Sequence, residues 1–284
     1  MPAPAQVGVV AVNWNTCRHI LACLEAVGAS PAIVVDNASS DGSAERVRRE
    51  FPRVRLIANA KNLGYAAAVN QGIAALDTPY ILVLNADVRC SPSTTQHLAH
   101  WLDAHPRTAV VGPRLTDPAG RLQLSWGRDP SPATEFAQRW WWRQLESQPS
   151  QSGLKRHAAT PRRVDWVLGA CLLIRREAFR AVGGLDEQYF MYFEEVDFCT
   201  RLRRAGWDIW YVPTVCAVHD GRASTSQAAD AMAVAYRRSQ LRYYRRFHGP
   251  MAERILMAYL WCKLGRHEAG RTLLTQLETH DADK

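Results

Sequence analysis

The chain has 284 residues, of which 47% are hydrophobic and 22% charged, a balance that excludes general disorder and suffices for a substantial core. Seven scattered cysteines without a C-x-x-C pair argue against a disulfide framework or a structural zinc site and for reduced thiols. No run approaches the ~20 apolar residues that span a bilayer, and Met1–Gln6 lacks the basic start and apolar stretch of a signal peptide, so a cytoplasmic protein is expected. The formal net charge of +8 suits an anionic partner such as a nucleotide diphosphate, a lipid phosphate or a membrane face. Nucleic acid is not expected, because no ordered aromatic and basic module is present.

Val7–Val12 is a valine-rich run that predicts a buried parallel strand ended by Asn13-Trp14-Asn15. Ile20, Leu21 and Leu24 predict a helix, Ala32–Val35 a second strand ending on Asp36, and Ser43–Phe51 a helix with Ser43 as N-cap. A weaker strand follows at Arg53–Ile57, then a helix at Ala66–Leu76 and a strand at Tyr80–Leu84 running into Asn85-Ala86-Asp87. Ser93–His105 is helical and Ala109–Val111 a short strand. This alternation predicts an α/β fold with a mostly parallel sheet flanked by helices, whose ligands bind beyond the carboxyl ends of the strands. Asn13, Asp36 and Asp87 all sit at such ends.

Residues 120–161 have no clear period and contain Trp140-Trp142, which either belong to a long segment near an interface or pack on the domain. An apolar strand pattern returns at Val164–Ile174, broken at Gly169-Ala170, followed by short helices at Glu177–Val182 and Val196–Ala205. Ile209–Val212 and Val215–Val218 read as two strands, and the pattern is helical from Gln227 to about Leu277. The expected division is one domain over 1–225, with a nucleotide-binding half at about 7–115 and an acceptor half at about 116–225, plus a C-terminal helical extension over 226–284.

Three acidic motifs carry the chemistry. Asp36, before the small polar turn Asn37–Ser43, can accept from the imide N–H of a pyrimidine base, with further donors in the turn; a plain strand-to-helix turn is the alternative. Asp87, exposed after a very apolar strand, suits a hard divalent ion clamped to a diphosphate, or else caps a helix. Glu194, Glu195 and Asp197 follow the aromatic run Tyr189–Phe193, where desolvation raises a carboxyl toward the range of a general base; a helix-start acidic cluster is the alternative. His219, at a strand end, is a further metal or diphosphate ligand, or a structural histidine.

In their order, Val12-Asn13-Trp14-Asn15, Val35–Ser43, Asn59–Tyr65, Leu84-Asn85-Ala86-Asp87, Gly169–Arg176 and Gly183–Glu187 through Glu194–Cys199 resemble glycosyltransferase family 2, within it the rhamnosyltransferase-like bacterial enzymes. The resemblance covers about residues 7 to 222. It implies a GT-A fold and an inverting, Mg²⁺- or Mn²⁺-dependent transfer. By that resemblance Asn13, Asp36 and Asp41 bind the nucleotide, with Asn37 and Asn85 among the nucleotide-sugar contacts and Asn62 and Gly64 near the donor. Asp87 holds the metal, with His219 reaching the metal or diphosphate. Trp166, Gly169 and Asp197 belong to the acceptor side. The family's base is usually the second acid of a Glu-Asp pair; here that position is Glu195, one methylene longer, which leaves Glu194 as an alternative. Asn85 stands where the stronger form of its motif has a second aspartate.

The expected activity is transfer of a sugar, rhamnose from dTDP-rhamnose, to a hydroxyl of a glycan or lipid-linked acceptor in cell-surface polysaccharide biosynthesis. A UDP-hexose donor and a catalytically silent nucleotide-sugar-binding protein are the alternatives. A peripheral contact of the Arg/Tyr-rich C-terminal helices with the inner membrane face, and a homodimer, are left open.

Overall fold

The computed structural model describes residues 6–131, 134, 159–221, 229–265, 271–275 and 277. The Trp140-Trp142 segment lies outside the described residues. The N-terminal apolar runs form β1 (Val7–Asn13), β2 (Ala32–Asp36), β3 (Arg55–Ala58) and β4 (Tyr80–Asn85), all parallel, with β1 between β2 and β4. The registers Asn13↔Asp36 and Val12↔Asn85 bring three polar residues to one edge of the sheet. Two-residue periodicity sends Val7, Val9 and Ala11 to one face and Val10 and Val12 to the other, and both faces are covered.

Helices α1 (Cys17–Val27), α2 (Ser43–Glu50) and α4 (Pro92–Ala104) cover the first face, burying Ile20, Leu24, Val47, Leu98 and Leu102. Helix α3 (Tyr65–Ala74) covers the second with Ala66, Ala68 and Val69. Its small residues allow a close approach: a Cβ on Gly72 would stand 2.4 Å from Val10 Cγ1, so only glycine fits there. Ser43 is the first helical residue of α2, with Gly42 at the cap in the left-handed region, and not the expected N-cap. In α4 the cap is Ser91, whose hydroxyl accepts from the Thr94 amide; Asp87 therefore does not cap that helix.

The second half adds β5 (Val88–Arg89), β6 (Thr108–Thr116), β7 (Leu122–Gln123), β8 (Trp126–Gly127), β9 (Arg162–Arg163), β10 (Trp166–Val167), β11 (Cys171–Arg175) and β12 (Asp208–His219). The main path runs β3-β2-β1-β4-β11-β6-β12-β5, with β11 antiparallel to both neighbours. The two strands expected at Ile209–Val212 and Val215–Val218 are one strand with a register shift between Val212 and Cys216, because a bulge bends the chain without ending its pairing. Helices α5 (Arg176–Ala181) and α6 (Glu194–Arg204) complete the second face with Phe179, Phe198 and Leu202.

The C-terminal helical pattern divides at Gly249 into α7 (Ala229–His248) and α8 (Pro250–Leu264), since Pro250 cannot continue the preceding hydrogen-bond ladder but suits a first helical turn. They share a third core with the segment before α6: Tyr189, Phe193 and Val196 pack with Tyr243, Tyr244, Leu256 and Leu260. No described helix is long and apolar enough to cross a membrane. All seven cysteines are free.

Candidate functional site

A cleft opens at the carboxyl ends of β1, β2 and β4. It is lined by Val12, Trp14, Thr16, Asn37, Asn62, Gly64, Tyr65, Asn85, Ala86 and Asp87, with Phe190, Met191 and Met232 arriving from later in the chain. Asn37, Asn62, Gly64, Asn85 and Asp87 thus come together in one cleft. Asn13 and Asp36 lie beneath them, at 1% and 2% exposure. The Asp36 carboxylate accepts from Asn13 Nδ2 at 2.7 Å, the Ser39 hydroxyl at 2.7 Å and the Ser39 amide at 2.9 Å. Its observed work is to shape the β2–α2 turn that borders the cleft. Thr16 completes this layer by donating to Asn13 Oδ1 at 2.6 Å.

Asp41 does not line the cleft. It accepts from the Cys17 amide at 2.8 Å and from the Ser43 amide and hydroxyl, tying the starts of α1 and α2 together. Partial burial pushes its carboxyl up, but these donors win and hold it below its ordinary value.

One wall of the cleft depends on Gly64. At φ +86° it adopts a conformation that L side chains rarely reach, and a Cβ there would meet the Phe190 carbonyl oxygen at 2.5 Å. The same carbonyl accepts from the Tyr65 amide at 2.7 Å. The segment before α6 is thereby pinned across the cleft. Asn37 Nδ2 holds the Gly64 carbonyl at 3.0 Å, and Asn62 Oδ1 accepts from the Gly64 amide at 2.9 Å.

Asp87 and His219 meet because β12 returns beside β5. His219 Nε2 stands 3.5 Å from Asp87 Oδ1, and Asp87 Oδ2 accepts from the Gly221 amide at 3.1 Å. Gln123 determines the tautomer. Its Nε2 donates to the His219 carbonyl at 2.9 Å, so its Oε1 faces His219 Nδ1 at 2.8 Å. An amide oxygen only accepts, hence Nδ1 carries the proton and Nε2 keeps its lone pair. Burial, opposed by the charges of Asp87 and Asp220, holds the imidazole below its ordinary value and hence neutral. A carboxylate and a neutral imidazole nitrogen facing one point fit a divalent cation. No group of three or more acidic, histidine or cysteine residues suited to a metal occurs among the described residues, so the remaining ligands would come from a bound diphosphate.

Glu194 and Glu195 begin α6, at 5% and 8% exposure. They are delivered by Tyr192 and Phe193, two consecutive residues at φ +67° and +66°. Non-glycine residues in that region cost ~1–3 kcal/mol each and cluster at functional sites. Burial pushes Glu194 well above its ordinary value, with the Glu195 charge adding to it; burial likewise raises Glu195, against hydrogen bonds from backbone amides including Gly169. Desolvation here outweighs the favourable end of the helix dipole. One oxygen of each, Glu194 Oε2 and Glu195 Oε2, is buried without a hydrogen-bond partner. Glu195 Oε1 faces the Gly169 amide at 3.5 Å, and the Gly169 carbonyl accepts from the Tyr65 hydroxyl at 2.8 Å. Glu195 thus stands directly behind the wall that Tyr65 presents to the cleft.

Two acceptor-side expectations are placed differently. Trp166 does not line the cleft; it packs between two cores and donates from Nε1 to the Arg128 carbonyl at 2.8 Å. Asp197, completely buried, faces the C-terminal helices: it accepts from Arg201 Nε at 2.5 Å, Arg246 Nη1 at 2.8 Å and the Tyr189 hydroxyl at 3.3 Å. The reason is helical periodicity, since Asp197 is two residues past Glu195 and points to the other side. Its pairs clamp α7 to the segment that carries the two glutamates, together with Arg242 and Arg246 on Asp186 and the Ser239 hydroxyl on the Met191 carbonyl. Asp197→Ala leaves two guanidinium groups without their buried partner and is expected to cost ~3–5 kcal/mol, read as a lower urea midpoint with an unchanged slope.

Trp14, Tyr65, Phe190, Met191 and Met232 were not among the expected site residues. Trp14 carried a signal, a large aromatic directly after the polar strand end Asn13, and Tyr65 another, directly after Gly64 at the start of α3. Met232 carried none, because only the packing of α7 brings it to the cleft.

The chain matches the model of "Glycosyl transferase family 2" over residues 9–183. It is 34% identical over 266 residues, 81% of each chain, to the N-acetylglucosaminyl-diphospho-decaprenol L-rhamnosyltransferase of Mycobacterium tuberculosis. In fold it is similar to the mannosyltransferase PcManGT from Pyrobaculum calidifontis in complex with GDP-Man and Mn²⁺, with a TM-score of 0.59 and 18% identity over 100% of this chain and 77% of that one. A second structure, GalNAc-T7 with UDP, GalNAc and Mn²⁺, gives a TM-score of 0.57 and 14% identity over 86% of this chain and 48% of that one. Both share the GT-A architecture found here. With its strand-end cleft, the Asp87–His219 pair and the family match over most of its length, the chain belongs to glycosyl transferase family 2 and is a glycosyltransferase.

Proposed function

We propose that this enzyme transfers rhamnose from dTDP-rhamnose to a hydroxyl of a lipid-linked glycan, with inversion and with a divalent ion. The observation that carries the reading is the convergence of Asp87 Oδ1 and the unprotonated Nε2 of His219 at the cleft, with the raised Glu194–Glu195 pair behind its wall. The rhamnose and the lipid-linked acceptor rest on the mycobacterial relative, whose name gives both. Asn37, Asn62 and Asn85 line the space for the donor, and Trp14 offers an aromatic face for the base. Asp87 and His219 would hold Mg²⁺ or Mn²⁺, which would supply charge neutralisation at the diphosphate.

Glu195 takes the proton of the acceptor hydroxyl as that oxygen attacks the anomeric carbon opposite the leaving group. One displacement inverts the centre and needs no covalent intermediate. Glu195 lies behind Tyr65 and Gly169, its Oε1 toward the Gly169 amide at 3.5 Å, so on this reading a shift of that wall brings the carboxylate to the acceptor.

A panel of dTDP-rhamnose, UDP-glucose, UDP-galactose, UDP-N-acetylglucosamine and GDP-mannose, each with and without Mn²⁺, tests this. Metal-dependent thermal stabilisation and slow hydrolysis are expected with dTDP-rhamnose. A response confined to a UDP-hexose would replace the rhamnose assignment. Tight donor binding without turnover, even with a diphospho-lipid GlcNAc acceptor, would favour a silent binder.

A further inference from the structure

A second concavity adjoins the cleft. Phe190 and Met232 line both, so the two share a wall. Its remaining wall comes mainly from α7, where Arg238, Arg242 and Arg245 recur at i, i+4 and i+7 and so share one helix face. Beside them the surface is apolar, from Val234, Leu241 and Leu277. Over residues 229–265 the two helices carry seven arginines and lysines against two acids.

The arginines have partners: Arg242 Nη2 meets Asp186 at 3.0 Å and Arg245 Nε meets Glu253 at 2.7 Å. The Arg245 side chain is nevertheless 63% exposed, and an exposed pair of this kind holds its guanidinium weakly. Arg242 Nε has no hydrogen-bond partner. An anion with several oxygens can recruit these groups, since guanidinium forks match phosphate geometry. A bare phosphate has no use for the apolar surface, and a plain hydrocarbon none for the arginines.

We propose that this groove binds the diphosphate and first isoprene units of a polyprenyl-diphosphate acceptor, placing the sugar beyond Phe190 in the cleft. The proposal rests on the reading of a lipid-linked acceptor. It assigns the acceptor's anchor to the C-terminal helices and leaves the donor cleft to the sheet. The rest of a long chain would stay in the bilayer; the outer face of α8 there carries Met251, Ile255 and Tyr259, exposed at 65%, 56% and 52%.

Calorimetry with farnesyl diphosphate tests it, in EDTA and saturating dTDP so that the donor site and its metal cannot contribute. Farnesyl diphosphate is expected to bind at least ~10-fold more tightly than inorganic pyrophosphate or farnesol alone. The variant R238Q/R245Q is expected to weaken it by about 10-fold or more, with dTDP affinity unchanged and R238K/R245K recovering only part of the loss, since an ammonium keeps the charge without the fork. Equal affinity for pyrophosphate, no loss in the double variant, or capture by phosphatidylglycerol vesicles without farnesyl diphosphate affinity would each overturn the proposal. Failure of the rhamnose reading shows separately, as absent dTDP-rhamnose binding in the donor panel.

Discussion

Replacing Glu195 with glutamine is expected to lower kcat by ~10²–10⁴-fold, the usual worth of a positioned general base, while the donor KM stays within about two-fold. The side chain faces the Gly169 amide behind Tyr65, not the strand ends where the donor is expected. Glu194→Gln should behave differently. The Glu195 charge is what raises Glu194 further, so Glu195 ionises first and the neutral amide stands in for a Glu194 that is still protonated at that step. Most of the activity should remain, with the acid limb of the kcat/KM profile little moved. In the wild type that limb lies above the ordinary carboxylate range, because burial raises both groups. Activity rises with pH, since the base must be deprotonated. The reverse pattern, with Glu195→Gln active and Glu194→Gln dead, would assign the base to Glu194.

The same shifts set a stability dependence. A carboxyl raised in the folded state binds its proton more tightly there than in the unfolded chain. Its contribution is therefore fully present below the unfolded value and is lost as pH rises through the folded value. Glu194→Gln should melt higher than wild type above that window, and the difference should close at low pH.

Asp87→Asn is expected to cost transfer ~10³-fold, because on the proposed reading it removes the carboxylate that would hold an ion at the donor diphosphate, a contribution of several kcal/mol. The readout independent of turnover is Mn²⁺ affinity measured with dTDP present, which should fall by at least ~10-fold. Gln123→Ala provides a graded companion: it frees His219 Nδ1 from its acceptor, and loss of such a support typically costs ~10–100-fold in metal affinity. Undiminished Mn²⁺ binding in Asp87→Asn would place the ion elsewhere.

The apolar runs at Val7–Val12, Ala32–Val35 and Tyr80–Leu84 declared a buried parallel sheet without reference to any partner, because continuous burial on two faces requires continuous apolarity. Residues at their ends, Asn13, Asp36, Asn85 and Asp87, were legible for the same reason. What they do was not. Asp36 and Asp41 look alike as turn acids, yet the first lies beneath the cleft and the second ties two helix starts together. Neither spacing nor composition distinguishes them, since both roles use the same hydrogen bonds.

Asp197 shows the limit most directly. As part of Glu194-Glu195-Val196-Asp197 it belongs to an acidic cluster, but the turn of the helix carries it to Arg201 and Arg246. Residue type and order along the chain determined the strands, the helix periods, the family and the three acidic positions, all properties of local patterning. Contacts across 96 to 134 residues determined the rest: Gln123 on His219, Gly221 on Asp87, and Tyr65 on Gly169 at a separation of 104. These set the His219 tautomer, the placement of Asp87 beside His219 and the surroundings of Glu195. Each depends on which side chains the bulge in β12 and the packing of α7 bring together, and a side chain's protonation and reach follow from its neighbours in space.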